Sequence, residues 1–232
     1  MSETAIDYQP ATRTTVHDHW WWRPGWRRGR HFYACHLTLD DQPELRQLVR
    51  GYQAATRELP FLDQIPEEWL HLTMQGIGFT DQISEREITD ITAGLRCELA
   101  SLTPLTAVFH NPTISREALY LKAQPVGPLY DLHLRMHRAV LSVLGRDRFT
   151  EPEPDPERFT PHVSTGYVNG ESPAGSLAEA LAHVRSRAVT ATFHKASLLV
   201  FHRDNRMYEW TRATPIRIGR PADDLADDLA AV

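Results

Sequence analysis

Trp69-Leu70-His71-Leu72-Thr73-Met74-Gln75-Gly76, residues 69–76, decides how this 232-residue chain is read. Apolar and polar residues alternate along it, the period of a half-buried β-strand. Residues two apart on a strand share a face. Trp69, His71, Thr73 and Gln75 therefore line one side, and Leu70, Leu72 and Met74 the other. A face carrying His, Thr and Gln in a row is unfavourable to bury dry, which points it into a cleft. Gly76 and Gly78 then allow a close approach to the backbone, or a bend.

The pattern returns 91 positions later in Arg158-Phe159-Thr160-Pro161-His162-Val163-Ser164. Pro161 suits the first position of a strand, where no ladder donor is required. His162 and Ser164 share a face that Gly166 is expected to continue. A third triplet, His36-Leu37-Thr38, runs straight into Asp40-Asp41 and a helix, and reads as structural or cleft-lining. Counting does not separate the three, because 12 His and 30 Ser and Thr give about 1.5 such triplets by chance. Matched placement selects the pair at 71 and 162.

Outward from these strands, apolar periodicity predicts strands at 32–39, 105–110, 118–123, 190–201 and 206–218, the last two as a hairpin turning at Asp204-Asn205. It predicts helices at 43–57, from Asp81 or Ser84 to 99, at 128–144 before Gly145, and at 177–186. Glu151-Pro152-Glu153-Pro154-Asp155-Pro156 reads as an extended, solvated acidic loop. Hairpin-like pairs interrupt the alternation of strands and helices, which favours α+β. The strand–helix–strand rhythm repeats, so a duplicated bilobal fold is expected, two antiparallel sheets facing a central cleft with helices outside. The expected parts are an N-terminal Trp/Arg-rich extension (1–31), the bilobal domain (32–218) and an acidic tail (219–232), frayed helix or disordered.

A formal charge of −5 argues against bulk polyanion binding, so an anionic substrate must be held by local donors. No apolar run approaches the roughly 20 residues of a membrane span, and the polar N-terminus lacks a signal-peptide core. A cytoplasmic protein without membrane association is expected, with a monomer favoured. Cys35 and Cys97 have no metal-ligand spacing and read as buried and reduced, with a single disulfide as the alternative.

His71-Leu72-Thr73-Met74 and His162-Val163-Ser164-Thr165, the second preceded by Phe159-Thr160-Pro161, resemble the paired signature tetrapeptides of the 2H phosphoesterase superfamily, and within it the 2′-5′ RNA ligase / cyclic phosphodiesterase family. The similarity covers residues 32–218. The arm from Trp20 to Arg30 resembles a segment of actinobacterial-type members. The resemblance implies hydrolysis of 2′,3′-cyclic phosphates or 2′-5′ phosphodiesters of RNA ends or nucleotides, with reversible 2′-5′ ligation as a further capability. It implies no cofactor and no metal. His71 and His162 are then general acid and base, a role that an unperturbed pKa of about 6.5 suits. Thr73 and Ser164 hold the non-bridging phosphate oxygens. The alternative is a nucleotide- or RNA-binding protein on the same scaffold without turnover.

Arg158, Tyr167, His202, Arg206 and Trp210 are candidate substrate contacts near the cleft. His133 and His137, one helical turn apart, have the spacing of a metal pair but lack the HExxH glutamate and read as a solvated face. The arm interleaves Trp with Arg23, Arg27, Arg28 and Arg30, as single-stranded nucleic-acid platforms do. It reads equally as a clamp over the core or a dimer contact.

Overall fold

The computed structural model describes residues 14–219. The expected tail helix at 221–232 and the polar start of the extension lie outside them. In chain order the elements are β1 (Thr15–Val16), β2 (Phe32–Thr38), α1 (Pro43–Thr56), β3 (Leu62–Gln64), β4 (His71–Phe79), α2 (Glu85–Ala100), β5 (Leu105–Ile114), β6 (Ala118–Gln124), α3 (Val126–Leu144), β7 (His162–Val168), β8 (Ser172–Pro173), α4 (Ala174–Leu181), β9 (Val189–Phe193), β10 (Lys195–His202) and β11 (Glu209–Arg217). The architecture is α+β, and every strand pair is antiparallel.

One half of the sheet runs β11-β10-β2-β4 and the other β7-β6-β5-β9, with β3 also on β7. The halves join through a single bridge between β4 and β7, Leu72 opposite Val163. The two apolar centres of the signature triplets are thus the seam, and the flanking histidines and hydroxyls fall on its open side.

Each helix buries one apolar stripe. Leu45, Leu48, Val49 and Tyr52 do so in α1, and Ile88, Ile91, Leu95 and Leu99 in α2. Helix α2 starts at a capping box in which the Ser84 hydroxyl accepts from the Glu87 amide and the Glu87 carboxylate accepts from the Ser84 amide. Gly145 closes α3 with φ 69°, where a side chain would strain the backbone. The helices are exchanged between halves. Helix α1 follows β2 but packs with α4 on β7 and β9, and α3 follows β6 but packs with α2 on β4. Neither half can bury its core alone.

Two β-bulges correct the simple alternation. Along β4 the register passes from Thr73 opposite His36 to Gln75 opposite Cys35, leaving Met74 as the extra residue. Along β7 it passes from Ser164 opposite Tyr120 to Gly166 opposite Leu119, leaving Thr165 extra. An extra residue reverses the facing of the residues that follow it, which on β4 lasts until a second shift at Ile77. Gln75 is therefore buried on the Cys35 side rather than in the cleft, and Gly76 faces the cleft instead. Likewise Tyr167 takes the cleft position expected of Gly166, whose missing Cβ admits β3. A Cβ there would lie 2.9 Å from Leu62 Cγ and 3.1 Å from the Asp63 carbonyl.

Other expectations change as well. The single strand expected at 190–201 breaks at His194: β9 lies at the edge of one half beside β5, and β10 pairs β2 in the other. The helix expected at 177–186 is α4, ending at Leu181. Both cysteines are free thiols, but Cys97 is exposed.

The described part of the extension, residues 14–31, straps the two halves together. Strand β1 pairs β8, and the His19 amide donates to the Val168 carbonyl at 2.8 Å, both on the β7 side. Trp26 then packs its ring on Phe32, Phe79 and Phe201, and Arg30 pairs with Asp81, both on the β4 side. Within the strap Trp20 is buried, whereas Trp21 and Trp22 are half exposed.

Candidate active site

A cavity of about 570 Å³ lies between the halves, and His71, Thr73, His162 and Ser164 all line it. His71 and His162 are held alike. The Nδ1 of His71 is 2.8 Å from the carbonyl of Trp69, and that of His162 is 2.7 Å from the carbonyl of Thr160. A carbonyl can only accept, so each Nδ1 carries the hydrogen and Nε2 is left as the working nitrogen of the neutral ring. Both carbonyls belong to the residue two before the histidine, just ahead of the strand. The same local geometry thus occurs once in each half.

Burial disfavours the charged imidazole. It pushes His71 down to about 4, opposed by the bond to the Trp69 carbonyl and reinforced by the charge of His162. Burial also lowers His162, against its bond to the Thr160 carbonyl. The Thr73 hydroxyl is exposed to the cavity and has no protein partner among the described residues. The Ser164 side chain lines the cavity beside Tyr167.

His36 lies flat on His71, ring centroids 4.6 Å apart and 13° from parallel, with its Nδ1 donating to the Cys35 carbonyl at 2.8 Å. Burial, then the charge of His71, holds its pKa well below the ordinary value. Trp210 stands edge-on to His71 at 6.0 Å and to Trp69 at 4.7 Å. Tyr167 lines the cavity, stacked on His19 at 4.2 Å.

Four of the five candidate contacts lie outside the cavity wall, Trp210 among them. Arg158 is exposed on the acidic loop. His202 stands beside Glu209 at 3.8 Å and edge-on to His31. Arg206 bonds Asp18 at 3.2 Å and the Asn169 carbonyl at 2.8 Å. Nor do His133 and His137 form a solvated face. His137 is buried, and His133 stacks on Phe159 while its Nδ1 donates to the Met74 carbonyl at 2.7 Å. Among the described residues no group of three or more His, Cys, Asp or Glu is placed to hold a metal.

The cavity also holds residues that the sequence patterns did not place in it. His19, Arg23 and Trp26 enter it from the strap, and Glu117 and Glu151 from loops. Arg23 bonds Glu117 at 3.2 Å, and His19 Nε2 is 3.0 Å from the Tyr208 hydroxyl. Burial, reinforced by the nearby Arg23 and Arg203 charges, pushes His19 down to about 3. The arm's Trp–Arg composition signalled a role, but no spacing in it encodes which side chain reaches across the cleft.

The model of the 2′-5′ RNA ligase superfamily matches residues 39–205, and the chain belongs to that superfamily. The match starts after the strap and after His36. Solved structures share the fold. TT0787 of Thermus thermophilus is 20% identical, with 83% of this chain and 100% of that one covered at a TM-score of 0.59. Escherichia coli LigT complexed with NADP+ is 12% identical, with 82% and 99% covered at 0.57. A protein described as a phosphoesterase is 15% identical, with 82% and 98% covered at 0.58. Curated protein sequences yield no significant match. No helix among the described residues is long and apolar enough to cross a membrane.

Proposed function

We propose that this protein is a metal-independent phosphoesterase that hydrolyses a 2′,3′-cyclic phosphate or 2′-5′ phosphodiester, with His71 and His162 as paired acid and base. The observation that carries this reading is the matched pair of imidazoles. Each is fixed through Nδ1 by a backbone carbonyl, and each sits beside a hydroxyl on the wall of one cavity.

In the hydrolytic direction, the neutral imidazole takes a proton from water through Nε2 as the water oxygen bonds to phosphorus. The protonated one gives its proton to the departing 2′- or 3′-oxygen, so the ring opens with no net change in protons on the pair. The hydroxyls of Thr73 and Ser164 donate to the non-bridging oxygens as negative charge grows there. Burial shifts both histidines toward the neutral form. A phosphate anion between them raises both pKa values and supplies the protonated partner. Escherichia coli LigT, which shares the fold, has been crystallised with 3′-AMP and with NADP+. A nucleotide substrate here fits that precedent and a cavity of about 570 Å³.

The test is turnover of nucleoside 2′,3′-cyclic phosphates and of 2′-5′-linked dinucleotides in excess EDTA, with the products identified as 2′- or 3′-phosphates. Undiminished turnover is expected. Activity that disappears with chelator overturns the metal-independent mechanism, and tight nucleotide binding with no turnover supports the non-catalytic alternative.

A further inference from the structure

Glu151 is a carboxylate in a cavity otherwise suited to phosphate. It belongs to the acidic proline-alternating loop, yet it lines the cavity between the halves. Its Oε1 lies 2.8 Å from where a Cβ on Gly76 would stand, so only glycine at 76 leaves the carboxylate in place. Among the described residues it has no hydrogen bond or ion pair; Glu117, by contrast, is bonded to Arg23. Its side chain is exposed to solvent at the cavity wall, while partial desolvation of the carboxyl raises its pKa. An unpaired carboxylate there repels a phosphate and is free to accept hydrogen bonds. A substrate group that donates hydrogen bonds fits it.

The surroundings say which group. The carbon that would be Cβ of residue 76 lies 3.4 Å from Cε1 of Phe32. Trp26 of the strap stacks on Phe32 with centroids 5.5 Å apart, and both rings are partly exposed. Flat aromatic rings at the edge of a cleft are surfaces on which nucleobases stack. Gly76 is three residues beyond Thr73, about 10 Å along a strand. That is the reach of a nucleoside from a cyclic phosphate to the outer edge of its base. The 2′ and 3′ oxygens of a 2′,3′-cyclic phosphate carry no hydrogen and the 5′-hydroxyl stays on the sugar, so the donors at the outer edge of the nucleoside are those of the base.

We infer that Glu151 is a specificity-determining residue that accepts hydrogen bonds from the base of a nucleoside 2′,3′-cyclic phosphate stacked against Trp26 and Phe32, and that it selects guanine. This rests on the phosphoesterase reading. Guanine presents N1–H and N2–H side by side, matching the two oxygens of one carboxylate in a charge-assisted pair. Adenine and cytosine each offer one amino group beside an acceptor. Uracil offers a single N–H between two carbonyls, which a carboxylate repels. The order expected is guanine, then adenine and cytosine, then uracil.

The experiment compares kcat/KM for the 2′,3′-cyclic phosphates of guanosine, adenosine, cytidine and uridine with the wild type, E151Q and G76A. The wild type is expected to prefer the guanosine substrate to the uridine one by at least about tenfold, since two bonds to a charged acceptor are at stake. E151Q, which loses the charge, and G76A, which displaces the carboxylate, are each expected to collapse that ratio. A role of Glu151 in folding alone lowers all four rates together and leaves the ratio intact. Equal turnover of the four by the wild type, or a ratio that survives in E151Q, overturns the inference and leaves the phosphoesterase reading standing. If no substrate turns over, that reading fails, and calorimetric affinity for 3′-GMP against 3′-UMP decides. A guanine preference lost in E151Q sustains the role of Glu151, and equal affinities end it.

Discussion

At the scale of single residues, the proposed chemistry depends on how His71 and His162 are kept poised. The stack of His36 on His71 excludes water from one face of the imidazole and so contributes to its low pKa. Replacing His36 with Ala admits water there. The His71 titration, followed by NMR of the ring, is expected to move up from about 4 toward the ordinary value of about 6.5. An unmoved titration denies His36 any part in tuning it. Free-enzyme kcat/KM needs one imidazole charged and one neutral. Because both pKa values are lowered, the bell is expected to peak on the acid side of neutrality. An alkaline optimum contradicts that. His71, Thr73, His162 and Ser164 were legible because i and i+2 share a strand face. Gln75 and Gly166 were misread because each lies just beyond a bulge. A bulge leaves no reliable mark in the alternation of one sequence.

At the scale of elements, the two bulges fall on the fourth residue of each signature tetrapeptide, at Met74 and Thr165. They turn Gly76 and Tyr167, five residues past each histidine, toward the cavity. Gly166 lets β3 close on β7, and a methyl at 166 forces Leu62 and the Asp63 carbonyl outward. G166A is expected to lose about 1–3 kcal/mol in chemical denaturation, and unchanged stability means β3 adjusts freely. Helical elements were legible from their stripes, and Ser84 with Glu87 from the capping box. The break at His194 was not, since residues 189–202 keep strand propensity throughout. The chain changes halves there because two edges need pairing, a demand set by tertiary structure.

At the scale of the whole molecule, exchanged helices and the strap make the halves one cooperative unit around a cavity rich in neutral histidines. His19, His36, His71 and His162 are each lowered mainly by burial. A histidine with a depressed folded pKa contributes nothing adverse above about 6.5. Below that, the unfolded state binds the proton and the folded state does not, so stability falls with pH. Each histidine held near 4 costs about 2 kcal/mol by pH 5. A thermal midpoint that drops steeply between pH 7 and 5, and is partly restored by a bound nucleotide phosphate, is expected; a flat profile contradicts the buried neutral cluster. The bilobal α+β plan was legible from the repeated rhythm. The strap across the cleft was not, because its contacts join residues nearly 190 positions apart, such as His19 and Tyr208.

The account turns on two histidines acting in one step, and its most direct measurement is kcat for His71→Ala, His162→Ala and the double variant on a 2′,3′-cyclic nucleotide. Each single change is expected to cost about 10²–10⁴-fold, and the double change little more than the worse single one, because an acid and a base that serve the same transition state are lost together. Either variant turning over at the wild-type rate contradicts the pairing of His71 and His162.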